Sequence, residues 1–266
     1  MRIPMAALVC AGACIGGSRE LEARQLRPPY FVNETLPAGP YARSEFVDLD
    51  ADGRLDLVCV TQQASVRSFL GDGFGGFVPA GTENLAFGML DFAVGDVQGD
   101  GDPDVVVLLA DGRIAVLLGD GLGHLSLAAT LIGVSQPQAI ALGDVNADGR
   151  ADLVVSILAN KVLVFTASAT TFYSGAPIPL STDASPRRAV VRDVTGDGIV
   201  DIACVSPVSG NINVFHGNGS GGFGSAQLWF AGLTTERFAV DDLDADGIVD
   251  FVCPRVASIL LSVLRG

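Results

Sequence analysis

Carboxylates recur in this chain at a spacing that suits a cation. The stretch "DLDADGRLD" sets Asp48, Asp50, Asp52 and Asp56 at the first, third, fifth and ninth places of a loop, with Gly53 at the sixth. Oxygens spaced in this way can wrap calcium, a hard ion that takes six to eight of them in flexible geometry. Magnesium suits the pattern less, because it demands a tight octahedron and keeps its waters. The pattern returns four times. "DVQGDGDPD" carries Asp96, Gln98, Asp100 and Asp104; "DVNADGRAD" carries Asp144, Asn146, Asp148 and Asp152. "DVTGDGIVD" carries Asp193, Thr195, Asp197 and Asp201; "DLDADGIVD" carries Asp242, Asp244, Asp246 and Asp250. The backbone carbonyl of each seventh residue (Arg54, Asp102, Arg150, Ile199, Ile248) is expected to add one more oxygen.

One such loop could be an acidic β-turn, since Asp and Gly dominate turns. Five in register point to metal, and about five structural calcium ions are expected. An EF-hand is excluded at the twelfth place, where that loop needs a bidentate Glu. Here the residues are Cys59, Val107, Val155, Cys204 and Cys253, inside apolar runs. The ninth-place Asp must then close the cage. Loops one and five place Asp at all four side-chain positions, whereas the others have Gln98, Asn146 or Thr195 at the third place. Affinity rises with ligand charge, so loop four, with the weak donor Thr195, should empty first.

The loops must be held by repeated elements. Their starts lie 48, 48, 49 and 49 residues apart, a period that means one repeat architecture. A short strand precedes each loop, and a nearly continuous apolar strand follows, such as "PDVVVLL" or "ADLVVSI". Such a run implies burial on both faces. A third strand comes next, then a Gly-rich turn, then a fourth strand starting near Phe77, Leu125, Phe172 or Phe223. The fold class expected is therefore all-β, a β-propeller of five four-stranded blades. The last repeat stops inside its third strand, and "PPYFVNETLP" near Phe31 is expected to supply the missing outer strand. An arc of a larger ring, or a ring completed by a second chain, remains the other way to satisfy that edge.

The five DxDxDGxxD-type loops, with turns such as "GDGFGGF" and "GNGSGGF", resemble FG-GAP/VCBS repeats. The resemblance covers residues 30–266 and implies a calcium-binding propeller of the integrin alpha-chain type. Integrin-type rings have seven blades, so a five-blade count departs from that pattern.

Composition narrows the function. Formal net charge is −14, yet hydrophobic residues make up 49% and charged ones only 17%. The acidity is not a disordered tail, and bound calcium would cancel most of it. Nucleic acid is excluded as a partner, since phosphate binding needs clustered Lys and Arg. Residues 1–18 resemble a secretory signal peptide and are too short and Gly-rich for a membrane span; residues 19–29 read as a linker.

Cys59, Cys204 and Cys253 share one repeat position with Val, the pattern of a small buried hydrophobe, although disulfides between neighbouring blades stay open. "GDGFGG" at Gly71–Gly76 precedes a strand rather than a helix, so it reads as a hairpin turn and not a phosphate loop. "NET" at Asn33 and "NGS" at Asn218 match the glycosylation acceptor pattern. His124 and His216 share no motif with a nucleophile, and no catalytic residue or organic cofactor is assigned. The expected function is a secreted or surface monomer that binds an extracellular protein or glycan. A multivalent lectin, or a polysaccharide lyase or hydrolase, is the alternative. Trp229, Tyr30, Tyr41 and Tyr173 do not recur at one repeat position, which weighs against the lectin.

Overall fold

The computed structural model describes residues 41–61, 65–131, 133–255 and 261–266. Among them the chain is all strand and turn. The first sheet holds β1 (Tyr41–Val47), β2 (Asp56–Thr61), β3 (Ser65–Gly71) and β4 (Phe77–Asn84). The second holds β5 (Met89–Gly95), β6 (Asp104–Leu109), β7 (Ile114–Gly119) and β8 (Leu125–Leu131). The third holds β9 (Pro137–Gly143), β10 (Asp152–Ile157), β11 (Lys161–Phe165) and β12 (Ile178–Ser181). The fourth holds β13 (Ala189–Arg192), β14 (Asp201–Ser206), β15 (Asn211–Phe215) and β16 (Gln227–Phe230). The fifth holds β17 (Ala239–Asp241), β18 (Asp250–Pro254) and β19 (Leu261–Leu264). Every sheet is antiparallel and ordered as the chain runs, so each is one blade of a propeller.

The second strands explain the architecture. All six residues of β2, β6, β10 and β14 are buried. Along β6, Val105 and Val107 pack with Val58 and Val60 of the first blade, while Val106 and Leu108 pack with Leu153 and Val155 of the third. The side chains of a strand alternate between faces, so a blade between two others needs apolar residues at every place. The same interleaving joins Val154 to Ile202 and Cys204, and Ala203 and Val205 to Phe251 and Cys253.

Two expectations change. The fourth strands of blades three and four begin at Ile178 and Gln227, not near Phe172 and Phe223. Phe172 sits in a turn with φ of 49°, and the Tyr173 hydroxyl beside it donates to the Ala151 carbonyl (2.8 Å). Phe223 makes only an isolated bridge to Gly217. These aromatics anchor turns to the body, and the strand starts later. The outer strand expected near Phe31, with the expected signal peptide and linker, lies outside the described residues.

Candidate metal loops

Each acidic loop joins the first strand of a blade to its second. The local fold follows from carboxylates capturing backbone amides. The first-place Asp takes the sixth-place glycine amide: Gly53 to Asp48, Gly101 to Asp96, Gly149 to Asp144, Gly198 to Asp193 and Gly247 to Asp242, all at 2.8–2.9 Å. The fifth-place Asp takes the amide two residues on, as in Arg54 to Asp52 (2.8 Å) and Ile248 to Asp246 (2.8 Å). Short polar side chains that bond the backbone nearby make such turns. The sixth-place glycines have φ between 80° and 93°, as their turn requires. The fourth place is also left-handed: Gly99 and Gly196 meet it freely, while Ala51, Ala147 and Ala245 adopt it at φ 55–61°.

The ninth-place Asp has a second role that spacing alone did not show. Asp56, Asp104, Asp152, Asp201 and Asp250 are all buried. One oxygen of each accepts the amide of the loop's second residue: Leu49, Val97, Val145, Val194 or Leu243 (2.7–3.1 Å). The other accepts an amide just beyond or at the end of the third strand: Gly71, Gly119, Ala167, Gly217 or Gly266 (2.7–3.0 Å). The carboxylate thus clasps loop, second strand and third strand together. Glycine recurs at the third-strand end because the backbone there abuts the loop; a Cβ on Gly71 would run into the Leu55 carbonyl, and one on Gly217 into that of Val200. Burial pushes the carboxyls of Asp104 and Asp152 up to about 6, against the pull of their amide donors and with help from neighbouring acids.

Geometry separates the five loops. In loop one, ligand atoms of Asp48, Asp50 and Asp56 lie within 4.8 Å of one another, and Asp242, Asp244 and Asp250 do the same in loop five. Three carboxylates gathered so closely suit a divalent cation of the calcium type. Asp50 is held above its ordinary value by desolvation, and the charges of Asp52, Asp56 and Asp48 push the same way. Asp52 and Asp246 stand outside these triads. Asp52 instead pairs with the Arg54 guanidinium (2.9 Å), and Arg265 approaches Asp244 at 3.7 Å.

Among the described residues no other triad forms. In loops two to four the third-place side chain gives its protons to the acids. Gln98 donates to Asp100, and Asn146 donates to Asp148 (3.2 Å). The Thr195 hydroxyl lies 3.3 Å from both Asp193 and Asp201. Asp148 is also approached by Arg150 at 3.4 Å. These donors do part of what a cation would do.

Other sequence features settle as structure. Cys59, Cys204 and Cys253 are free and buried. The Gly-rich turns are hairpins capped from within: Asp72 accepts the amides of Phe74 and Gly76, Asp120 those of Leu122 and His124, and Asn218 those of Ser220 and Gly222.

The family model for FG-GAP-like repeats matches residues 48–107, 96–155 and 193–253, well over half of the chain. The chain belongs to the FG-GAP-like repeat family. No curated protein matches it. Among solved structures, an Agrocybe aegerita lectin that recognises non-reducing terminal N-acetylglucosamine is similar at TM-score 0.58 and 19% identity, over 79% of this chain and 60% of that one. BBS1N in complex with ARL6DN is similar at TM-score 0.63 and 14% identity, over 88% and 69%. Saccharomyces cerevisiae Sqt1 is similar at 0.57 and 11%, over 81% and 57%. At such identities the likeness shows the fold, a β-propeller built of FG-GAP-like repeats. Among the described residues no helix is long and apolar enough to cross a membrane.

Proposed function

We propose that this FG-GAP-like propeller is a calcium-stapled binding module, secreted or at the cell surface, that engages an extracellular protein or glycan without catalysing a reaction. The observation that carries the metal reading is the pair of acid triads, Asp48/Asp50/Asp56 and Asp242/Asp244/Asp250. These residues would hold calcium most tightly, and loops two to four more weakly, with loop four weakest. The ion would supply charge neutralisation and a rigid link between first and second strands. The binding role draws on two structural neighbours, a lectin that recognises non-reducing terminal N-acetylglucosamine and BBS1N in complex with ARL6DN.

Calcium titration by calorimetry on the metal-free chain tests the metal reading. Two tighter sites and weaker further ones are expected, with a lower melting temperature in EGTA. Absent heat and unchanged melting would remove calcium from the account. The lectin neighbour favours one second reading, a glycan binder. A glycan array with calcium present decides it, since a blank array leaves a protein partner.

A further inference from the structure

The first strands lie side by side at the centre of the molecule. β1 meets β5, β5 packs on β9, and β9 on β13. Nη1 of Arg192 at the end of β13 donates to the Val240 carbonyl of β17 (3.1 Å). Alternate residues of these strands enter the core: Phe92, Ile140, Ala189 and Phe238, each four places before its loop, are buried. The residues one place earlier are Arg43, Asp91, Ala139, Arg188 and Arg237. The ladders keep them level. Arg43 pairs with Val60 and Asp91 with Leu108, each four residues past its clasping Asp. The amide of Val205, four past Asp201, donates to the Arg188 carbonyl (3.2 Å). Two places closer to the loops stand Glu45, Ala93, Ala141, Val190 and Ala239, four of them small or medium and apolar. The arginines thus sit at the end of the axial strands remote from the acidic loops, about 15 Å of extended chain away.

Three arginines stand at one level of the axis here, in a chain whose net charge is −14. Arg43 is paired to Asp91 and lies over the Phe92 ring, 5.7 Å from its centroid. Asp91 is already engaged by the amides of Phe92 (3.0 Å) and Ile140 (3.1 Å). Arg188 and Arg237 are exposed, and neither side chain has an ion pair or hydrogen bond among the described residues. Arg43 feels both: burial first and Arg188 next hold its guanidinium below the ordinary value, Glu45 opposes them, and Arg237 adds to the lowering. Like charges held together at a partly desolvated place favour a bound anion.

We propose that Arg43, Arg188 and Arg237 form an axial receptor for a carboxylate carried by the ligand, on the face opposite the metal loops. Planar guanidinium forks match carboxylate oxygens two by two, and Arg188 and Arg237 have both forks to offer. The acidic loop face repels the same ligand, so the molecule presents it with one mouth. This rests on the binding-module reading and adds the place and the chemistry of recognition. It is independent of the metal: the loops can fail the calcium titration while the arginines bind, and the reverse.

The test is an NMR titration of the calcium-saturated, 15N-labelled full chain with succinate at constant ionic strength. The Nε–Hε signals of Arg43, Arg188 and Arg237 are expected to shift on one saturable curve. Arg113, already engaged by Asp111 and the Phe87 ring, should stay still. The Arg188→Ala/Arg237→Ala variant should keep its melting temperature and calcium stoichiometry but lose succinate affinity at least tenfold. Linear drift shared by Arg113, or a curve that survives in that variant, overturns the receptor. Sulfate is expected to bind more weakly; equal or tighter sulfate binding overturns the carboxylate assignment.

Discussion

The ninth-place aspartates clasp backbone amides and, in the calcium reading proposed above, also hold the ion; single substitutions can pull the two duties apart. Asp56 accepts two backbone amides at 2.7 Å while belonging to the acid triad with Asp48 and Asp50. Asp56→Asn keeps the shape but turns an amide donor toward a backbone donor. We expect a loss of about 1–3 kcal/mol, the cost of leaving a buried polar group unpaired, measured by urea unfolding in EGTA. A loss seen only with calcium present would mean that the clasp has no role of its own. Ala51 offers the opposite sign. It holds φ 55° where glycine would pay nothing, so Ala51→Gly should stabilise the chain by ~0.5–1 kcal/mol, strain relief outweighing the added freedom of the unfolded chain. Urea unfolding of the metal-free variant checks it. Loop spacing picked out Asp48, Asp50 and Asp56, and Asp242, Asp244 and Asp250, which the fold gathers into two triads, but it could not show that fourth-place strain or the amides that the ninth-place Asp would draw in.

At the scale of elements, burial on two faces set what could be read in advance. β6 and β10 were legible because "VVVLL" and "LVVSI" leave no polar face. The fourth strands were less so, because an outer strand has one dry face at most and its pattern fades. Phe172 and Phe223 look like strand starts, yet they anchor turns. The outermost strand β16 is exposed along all four residues. Energetics should follow this gradient. Leu117 in β7 is fully buried, and Leu117→Ala should cost ~2–5 kcal/mol. Trp229 in β16 is 54% exposed, and Trp229→Ala should stay within ~0.5 kcal/mol. Thermal melts of the pair decide whether stability grades from centre to rim. The axial arginines were hidden for a related reason: residues 43, 188 and 237 are remote in sequence, and their strands are short. Only the shared register, five places before each loop, brings them to one level.

For the whole molecule, charge is divided between two ends. Most of the thirty acids lie in or beside the acidic loops, whereas Arg43, Arg188 and Arg237 stand at the far end of the same strands. Without metal the loop end repels itself, and salt screens that repulsion within about 10 Å at 0.1 M. Melting of the EGTA-treated chain should therefore rise between low salt and about 0.5 M chloride by more than that of the calcium-loaded chain. Equal slopes would mean that the loop charges are not what destabilises the metal-free state.

The free thiols give the molecule a clock. Cys59, Cys204 and Cys253 occupy one register in the first, fourth and fifth blades; Cys204 and Cys253 are sealed between sheets, and Cys59 is buried with Leu57, Phe69 and Phe77 of its own blade. Burial pushes their thiols up, to about 11 for Cys59 and Cys253, and so suppresses the thiolate, which is the reactive form. An alkylating reagent can therefore mark Cys204 or Cys253 only when its blade parts from a neighbour, and Cys59 only when its buried site opens. Timed alkylation read by peptide mass should label Cys59, Cys204 and Cys253 at different rates, and calcium should slow Cys59 and Cys253, which follow the two acid triads, more than Cys204. One shared rate would mean that the blades open together.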